Sequence, residues 1–162
     1  MLTQLLSQLP IFCDLTQEQL ALLEPLFSLE KCREQEVIFD QGDPADYLYI
    51  VESGSVAIRF KPDDGEPITV ARIQDGGVFG WSAAFGSGRY TSGAVCLADV
   101  CMLKVLGENL KKFRQKHPKT GILILERLAA VVAERIKSTS TQEQVLALLE
   151  HGLTNGVKPI GG

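Results

Sequence analysis

Two kinds of hydrophobic spacing divide the chain. In "LTQEQLALLEPLF", Leu20, Leu23 and Phe27 recur at spacings of three and four, which builds one apolar helix face. Thr16 followed by Gln19 fits a capping box, so the helix is predicted to start near Thr16. The preceding "LLSQLPIF" reads as a short helix stopped before Pro10, because a residue preceding proline is pushed out of the helical region.

From Glu36 to about Val105 the spacing shortens. "EVIF", "YLYIV", "SVAIRF", "ITVARI", "GAVCLA" and "VCMLKV" are brief runs rich in β-branched or aromatic residues. "QGDPAD", "ESG", "KPDDGEP" and "QDGG" separate them. Short strands with regular turn signals predict a sandwich or barrel. Within "SVAIRF", Val56, Ile58 and Phe60 share one face and Ala57 and Arg59 the other. Gly42 and Gly54 are read as turn positions needing positive φ.

Helical spacing returns after Lys104. "GENLKKFRQKH" predicts one short helix, and Pro118 suits the first turn of the next. In that long helix Leu125, Leu128, Val132 and Ile136 recur at three and four, giving a broad apolar face. Ser140 and Glu143 form a second capping box, opening a short helix that Gly152 closes before a tail of turn composition. The chain is thus expected to be mainly β with flanking helices. Residues 1–137 make one domain, and 138–162 a short helix and tail.

Charge narrows the function. The net charge is −4 and the sequence pI about 5.2, which opposes a nucleic-acid surface built to neutralise phosphates. The local cluster Lys111, Lys112, Arg114, Lys116 and Lys119 reads as a solvated helix face. No apolar run reaches the roughly 18 residues of a membrane span. "MLTQLLSQLPIF" lacks the positive flank and cleavage site of a signal peptide, so a cytoplasmic location is expected. The four cysteines, Cys13, Cys32, Cys96 and Cys101, form no CxxC pair and are expected as thiols. Cys96 and Cys101 flank "LADV", read as a hairpin turn that brings them together.

No catalytic motif of the serine-hydrolase, zinc-protease or P-loop type is present. His117 and His151 read as helix-terminal residues, and the strand region holds no histidine for a metal-binding cupin. The expectation is a non-enzyme with no metal and no resident cofactor.

The order of elements, with the stretches "IFCDLTQEQLALL", "EVIFDQGDPADYLYIVESGSVAI" and "DGGVFG", resembles the cyclic nucleotide-binding domain of catabolite-activator-type regulators, kinase regulatory subunits and gated channels. The resemblance runs from about Leu5 to Ile136. It implies a β jelly-roll barrel, a double-stranded β-helix, with N-terminal helices and a long C-terminal helix. One departure is Gln35, where the family usually has glycine.

The resemblance also implies a phosphate-binding cassette after "F-G". Its short helix would begin near Gly80 and include Trp81, Ser82, Ala83 and Ala84, with amides aimed at an anion. The family adds a glutamate for the ribose and an arginine for the phosphate. Here Trp81 stands at the glutamate position. Tyr90 stands at the arginine position, unless a one-residue slip puts Arg89 there. Without the slip, strand alternation turns Arg89 away. Each charge-assisted bond contributes about 1.5–3 kcal/mol, so losing two removes roughly 10²–10⁴ in affinity. Ser82, Thr91 and Ser92 offer hydroxyls instead, and Trp81 or Tyr90 is a surface for stacking on a base. Trp81 also reads as an ordinary packing residue that closes an empty site.

The candidate ligand residues are therefore Phe79, Gly80, Trp81, Ser82, Ala83, Arg89, Tyr90, Thr91 and Ser92. They point to a regulatory domain that senses a cyclic nucleotide such as cAMP or cGMP, or another small anion, and moves its C-terminal helix. The alternative is a degenerate member that serves association, pairing two copies through the 118–137 helix. Only 25 residues follow Lys137, so no DNA-binding domain and no direct nucleic-acid or membrane partner is expected.

Overall fold

Helix α1, Leu2–Gln8, ends before Pro10, which opens a single 3-10 turn over Pro10–Phe12. The computed structural model describes residues 2–85 and 88–139. The second helix expected at the C-terminus, from Ser140 onward, lies outside the described residues.

The first capping box forms as its side chains dictate. Thr16 Oγ1 accepts from the Gln19 amide at 3.1 Å, and Gln19 Oε1 accepts from the Thr16 amide at 2.9 Å. It opens α2, Gln17–Leu23. Pro25 then tightens the chain into a 3-10 turn, Glu24–Leu26, and Phe27 begins strand β1, Phe27–Cys32. Phe27 thus belongs to a strand rather than to the helix its spacing predicts. Its backbone pairs with Val105, and its ring still packs edge-on to Phe12 at 5.8 Å.

The strands continue as β2 Val37–Phe39, β3 Tyr47–Ser53, β4 Val56–Phe60, β5 Ile68–Ile73 and β6 Val78–Phe79. After the four-residue helix α3, Ser82–Phe85, come β7 Gly93–Cys96 and β8 Val100–Leu106. Two antiparallel four-stranded sheets result, in the orders β1-β8-β3-β6 and β2-β7-β4-β5. This is the jelly roll expected. Gly42 and Gly54 have φ of +91° and +110°, as their turns require. Gln35 also has a positive φ, 72°, at the position where the resemblance leads one to expect glycine. The backbone keeps the left-handed turn and a side chain bears the strain.

Strand alternation sorts the apolar residues into two cores. Leu48 and Ile50 of β3, with Leu103 and Val105 of β8, face the helices. Tyr49, Val51 and Met102 face the opposite sheet. Helix α4, Gly107–Lys116, and helix α5, Pro118–Thr139, close the helical side. Among the described residues, α5 buries the apolar side chains of Ile124 and Leu128, with Val131 packed behind. Of the predicted stripe, Leu128 is buried and Leu125 is half-buried.

The cysteine expectation is corrected. Cys96 ends β7 in one sheet and Cys101 lies on β8 in the other, so "LADV" is a crossing between sheets. Cys101 pairs instead with Lys31 and Ser53, and Cys96 has Cys32 as its neighbour. All four are free thiols.

Candidate functional site

The segment from β6 to β7 is built around one close approach. A Cβ on Gly80 would lie 2.9 Å from the Tyr47 carbonyl oxygen and 3.2 Å from the Tyr49 ring. With φ +77° as well, only glycine fits, and the chain turns there into α3. Phe79, just before, is fully buried and stacks on Tyr49 with centroids 4.9 Å apart. Beyond the turn, Ser82 and Ala83 are half-buried in α3.

The return limb is zipped to the "QGDPAD" loop. The Tyr90 amide donates to the Asp43 carbonyl and the Gly42 amide to the Tyr90 carbonyl, both at 2.9 Å. The Ala45 amide donates to the Gly88 carbonyl at 2.8 Å, and Pro44 bridges Arg89. From this limb the side chains alternate. Tyr90, Ser92, Ala94 and Cys96 are buried, whereas Arg89 and Thr91 are exposed. Arg89 therefore points away, and its guanidinium donates to the Gly42 carbonyl at 2.8 Å.

Tyr90 occupies the interior. Its ring lies on Phe39 at 3.6 Å and 11°, a parallel stack. Its hydroxyl donates to the Tyr47 carbonyl at 2.5 Å and accepts from the Tyr47 amide at 3.1 Å. Burial pushes the pKa of its phenol up to about 12, the Tyr47 carbonyl partly opposes this, and Asp46 and Asp43 add to it. Ser92 differs. It is 0% exposed, and its Oγ finds no hydrogen-bond partner among the described residues.

Trp81 takes the packing role of its two readings. It is 8% exposed and sits in the helical core with Leu110, Phe113, Ile124 and Leu128. Its indole N–H donates back to the Val78 carbonyl at 3.1 Å. The structure thus gathers Phe79, Tyr90 and Ser92 on the inner side and sends Trp81, Arg89 and Thr91 elsewhere. Sequence reasoning missed Phe39, Tyr47 and Tyr49. The available signal was three aromatics flanking the very loop that the return limb pairs with.

Other chemistry is thin. Among the described residues no group of three or more His, Cys, Asp or Glu is placed to hold a metal. No described helix is long and apolar enough to cross a membrane. The Cys32 thiol is pushed up to about 12 by burial and by Glu36, the reverse of an activated nucleophile.

Comparison with known proteins decides the family. The family described as the cyclic nucleotide-binding domain matches residues 29–117. The chain belongs to the cyclic nucleotide-binding domain family. It is 30% identical over 122 residues to the cAMP-activated global transcriptional regulator CRP of Pasteurella multocida, covering 75% of this chain and 57% of that protein. The chain thus spans little more than half the length of that relative. Among solved structures, the Thermus thermophilus catabolite activator protein superposes with a TM-score of 0.68 at 25% identity, covering 88% of this chain and 72% of that one. The regulatory subunit of a cAMP-independent protein kinase A from Trypanosoma cruzi, bound to guanosine, shares the fold. Its TM-score is 0.69 at 20% identity, over 98% of this chain and 51% of that one. The segment between β6 and β7 lies within the residues that match the cyclic nucleotide-binding domain.

Proposed function

We propose that this domain is a regulatory sensor. A small ligand, a cyclic nucleotide or another molecule of nucleoside size, enters the β6–β7 cassette and shifts α5 against the barrel. The buried, unpartnered Ser92 hydroxyl carries the reading. Such a group costs about 1–3 kcal/mol while unsatisfied, and a ligand hydroxyl or phosphate oxygen recovers that cost. The Trypanosoma cruzi neighbour is described as bound to guanosine, so the fold itself accepts a ligand that has no phosphate.

Coupling to α5 has a steric basis. A Cβ on Gly107, at the start of α4, would lie 2.1 Å from the Ala83 carbonyl oxygen of α3. One on Gly121 of α5 would lie 2.6 Å from Arg114 Cα of α4. The cassette helix, α4 and α5 therefore meet backbone to backbone, and Trp81 adds a side-chain contact in the same core. A ligand signals through this contact only as far as it binds the two α5 positions unequally.

The test is calorimetric titration of the full chain with cAMP, cGMP, adenosine and guanosine, with Trp81 fluorescence followed in parallel. Heat with a spectral change is the expected result. No heat and no thermal shift for any of the four at millimolar concentration rejects the sensor.

One observation favours a second reading, association through α5. Ile122 is 52% exposed, and Ala129, Ala130 and Ala133 are exposed with it. At helical spacing these form a single strip turned away from the domain's own core.

A further inference from the structure

The outer face of the β2-β7-β4-β5 sheet carries an apolar row. Val37 pairs with Val95, Val95 with Ala57, and Ala57 with Arg72, so one cross-strand row runs over all four strands. Residues directly opposite in an antiparallel pair share a face. Phe39, Ala94, Ile58 and Ile73 turn the other way, into the core. Val37 is 54% exposed, and Leu97, just past the end of β7, is 37% exposed. With Val95 they line an open groove of about 540 Å³. Four strands spaced by about 4.8 Å make the row about 14 Å long, the reach of roughly four extended residues.

Charge gives this groove two different ends. Arg59 lines it and stands opposite Gly93, at the start of β7. Arg72 closes the apolar row on β5. Both are exposed, and among the described residues neither forms an ion pair. Glu34 lines the other end, where the Gln35 amide donates to the Cys96 carbonyl at 2.7 Å. Glu36 and Asp99 accept backbone hydrogen bonds from Arg33 and Glu34 at that same end. An apolar patch rimmed by arginine is the composition of a protein contact. Guanidinium groups pair with carboxylates through two parallel hydrogen bonds. Two cations beside Glu34, in a chain of net charge −4, are too few to hold a nucleic-acid backbone.

We propose that this sheet face docks a short linear segment of a partner protein, apolar over Val37, Val95 and Leu97 and acidic over Arg59 and Arg72. Glu34 sets the direction, because an acidic end placed there would be repelled. A contact of this size is weak and transient on its own. It lies on the sheet away from the helical core and holds whether or not the cassette takes a ligand.

The test is selection of binders to the full chain from a displayed library of random octapeptides, followed by fluorescence-polarisation titration of the leading peptide. The enriched peptides should join apolar residues to Asp or Glu. The double variant Arg59→Glu with Arg72→Glu should weaken the leading peptide about tenfold or more and leave the thermal midpoint unchanged, since both side chains are exposed. Val37→Lys should weaken it as well, and binding to the parent should fall from low to high salt. Enrichment of peptides without acidic residues, affinity unaltered by the charge reversal, or no enrichment at all overturns the proposal. Self-association that Val37→Lys abolishes would assign the face to a second copy of this chain, and overturns it too.

Discussion

Tyr90 shows how one neutral side chain can tie a loop limb into the interior. It stacks on Phe39 and ties both backbone groups of Tyr47, so the interior is cohesive without a salt bridge. The same burial creates a pH liability. The phenol is held neutral up to about 12 in the fold, against 10.0 for an ordinary tyrosine. Its contribution to stability is whole below pH ~10 and is lost as pH rises toward the folded value, where the unfolded chain releases a proton that the fold retains. Denaturant unfolding at successive pH values should show stability falling by about 2 kcal/mol across that interval from Tyr90, with Tyr49, raised by burial in the same direction, adding to it. Tyr90→Phe should lose about 1–3 kcal/mol at neutral pH, because Tyr47 loses its partners, yet show a shallower alkaline decline. A slope as steep as the parent's would contradict the assignment. Alternation put Arg89 and Tyr90 on opposite sides but left open which one faces inward; the limb's pairing with the Gly42–Ala45 loop accompanies the burial of Tyr90. The aromatic wall was not legible from sequence, since its members come from β2, β3, β6 and the limb that precedes β7, and meet only after the sheets close.

Elements were legible where a local rule dominates. The Thr16 capping box, the stop before Pro10 and the start at Pro118 all follow from backbone chemistry within a few residues. They were misread where a distant partner decides. Phe27 fits the spacing of α2, but pairing with Val105 makes it a strand. "LADV" has turn composition, but sheet membership separates its flanking cysteines. Two contacts between elements invite direct tests. Gly107→Ala drives a methyl group into the Ala83 carbonyl, and neither backbone can yield cheaply. The expected loss is about 3 kcal/mol, read in the thermal midpoint, with altered Trp81 emission as α3 parts from α4. A variant of parental stability and emission would remove the steric link. The second contact is the two-pronged ion pair from Arg127 of α5 to Asp14, which follows the Pro10–Phe12 turn. The guanidinium holds the Asp14 carboxyl below its usual range. A depressed folded value means that the contribution is present above the unfolded value near 4 and fades as pH falls through the folded one. Asp14→Asn should flatten the acid limb of the stability profile slightly and leave neutral-pH folding intact, since Asp14 is exposed and Arg127 partly so. Hydrogen exchange of α5 should quicken in that variant. Unchanged exchange would mean the pair does not hold the helix.

At the scale of the molecule, the jelly roll leaves one helix with two faces. One side of α5 closes the helical core with Ile124 and Leu128, and the opposite side carries Ile122, Ala129, Ala130 and Ala133 in the open. Glu126 stands within the open strip. Small residues let two helices approach closely, and one large apolar anchor supplies area, so the strip suits a like helix better than a flat surface. Burying Ile122 fully would contribute about 1–2 kcal/mol per copy, too little alone for a tight dimer once association entropy is counted. A weak, concentration-dependent self-association is therefore expected. If ligand occupancy moves α5, the same movement changes how the strip is presented, and ligand and second copy become linked through that helix. Light scattering over a range of concentrations, with and without the tightest-binding compound, reads both effects. The apparent mass should rise with concentration, the rise should shift when ligand is present, and Ile122→Glu should abolish it while leaving ligand heat unaltered. A constant monomer mass at tens of micromolar, whatever the ligand, would confine the action of α5 to its own domain.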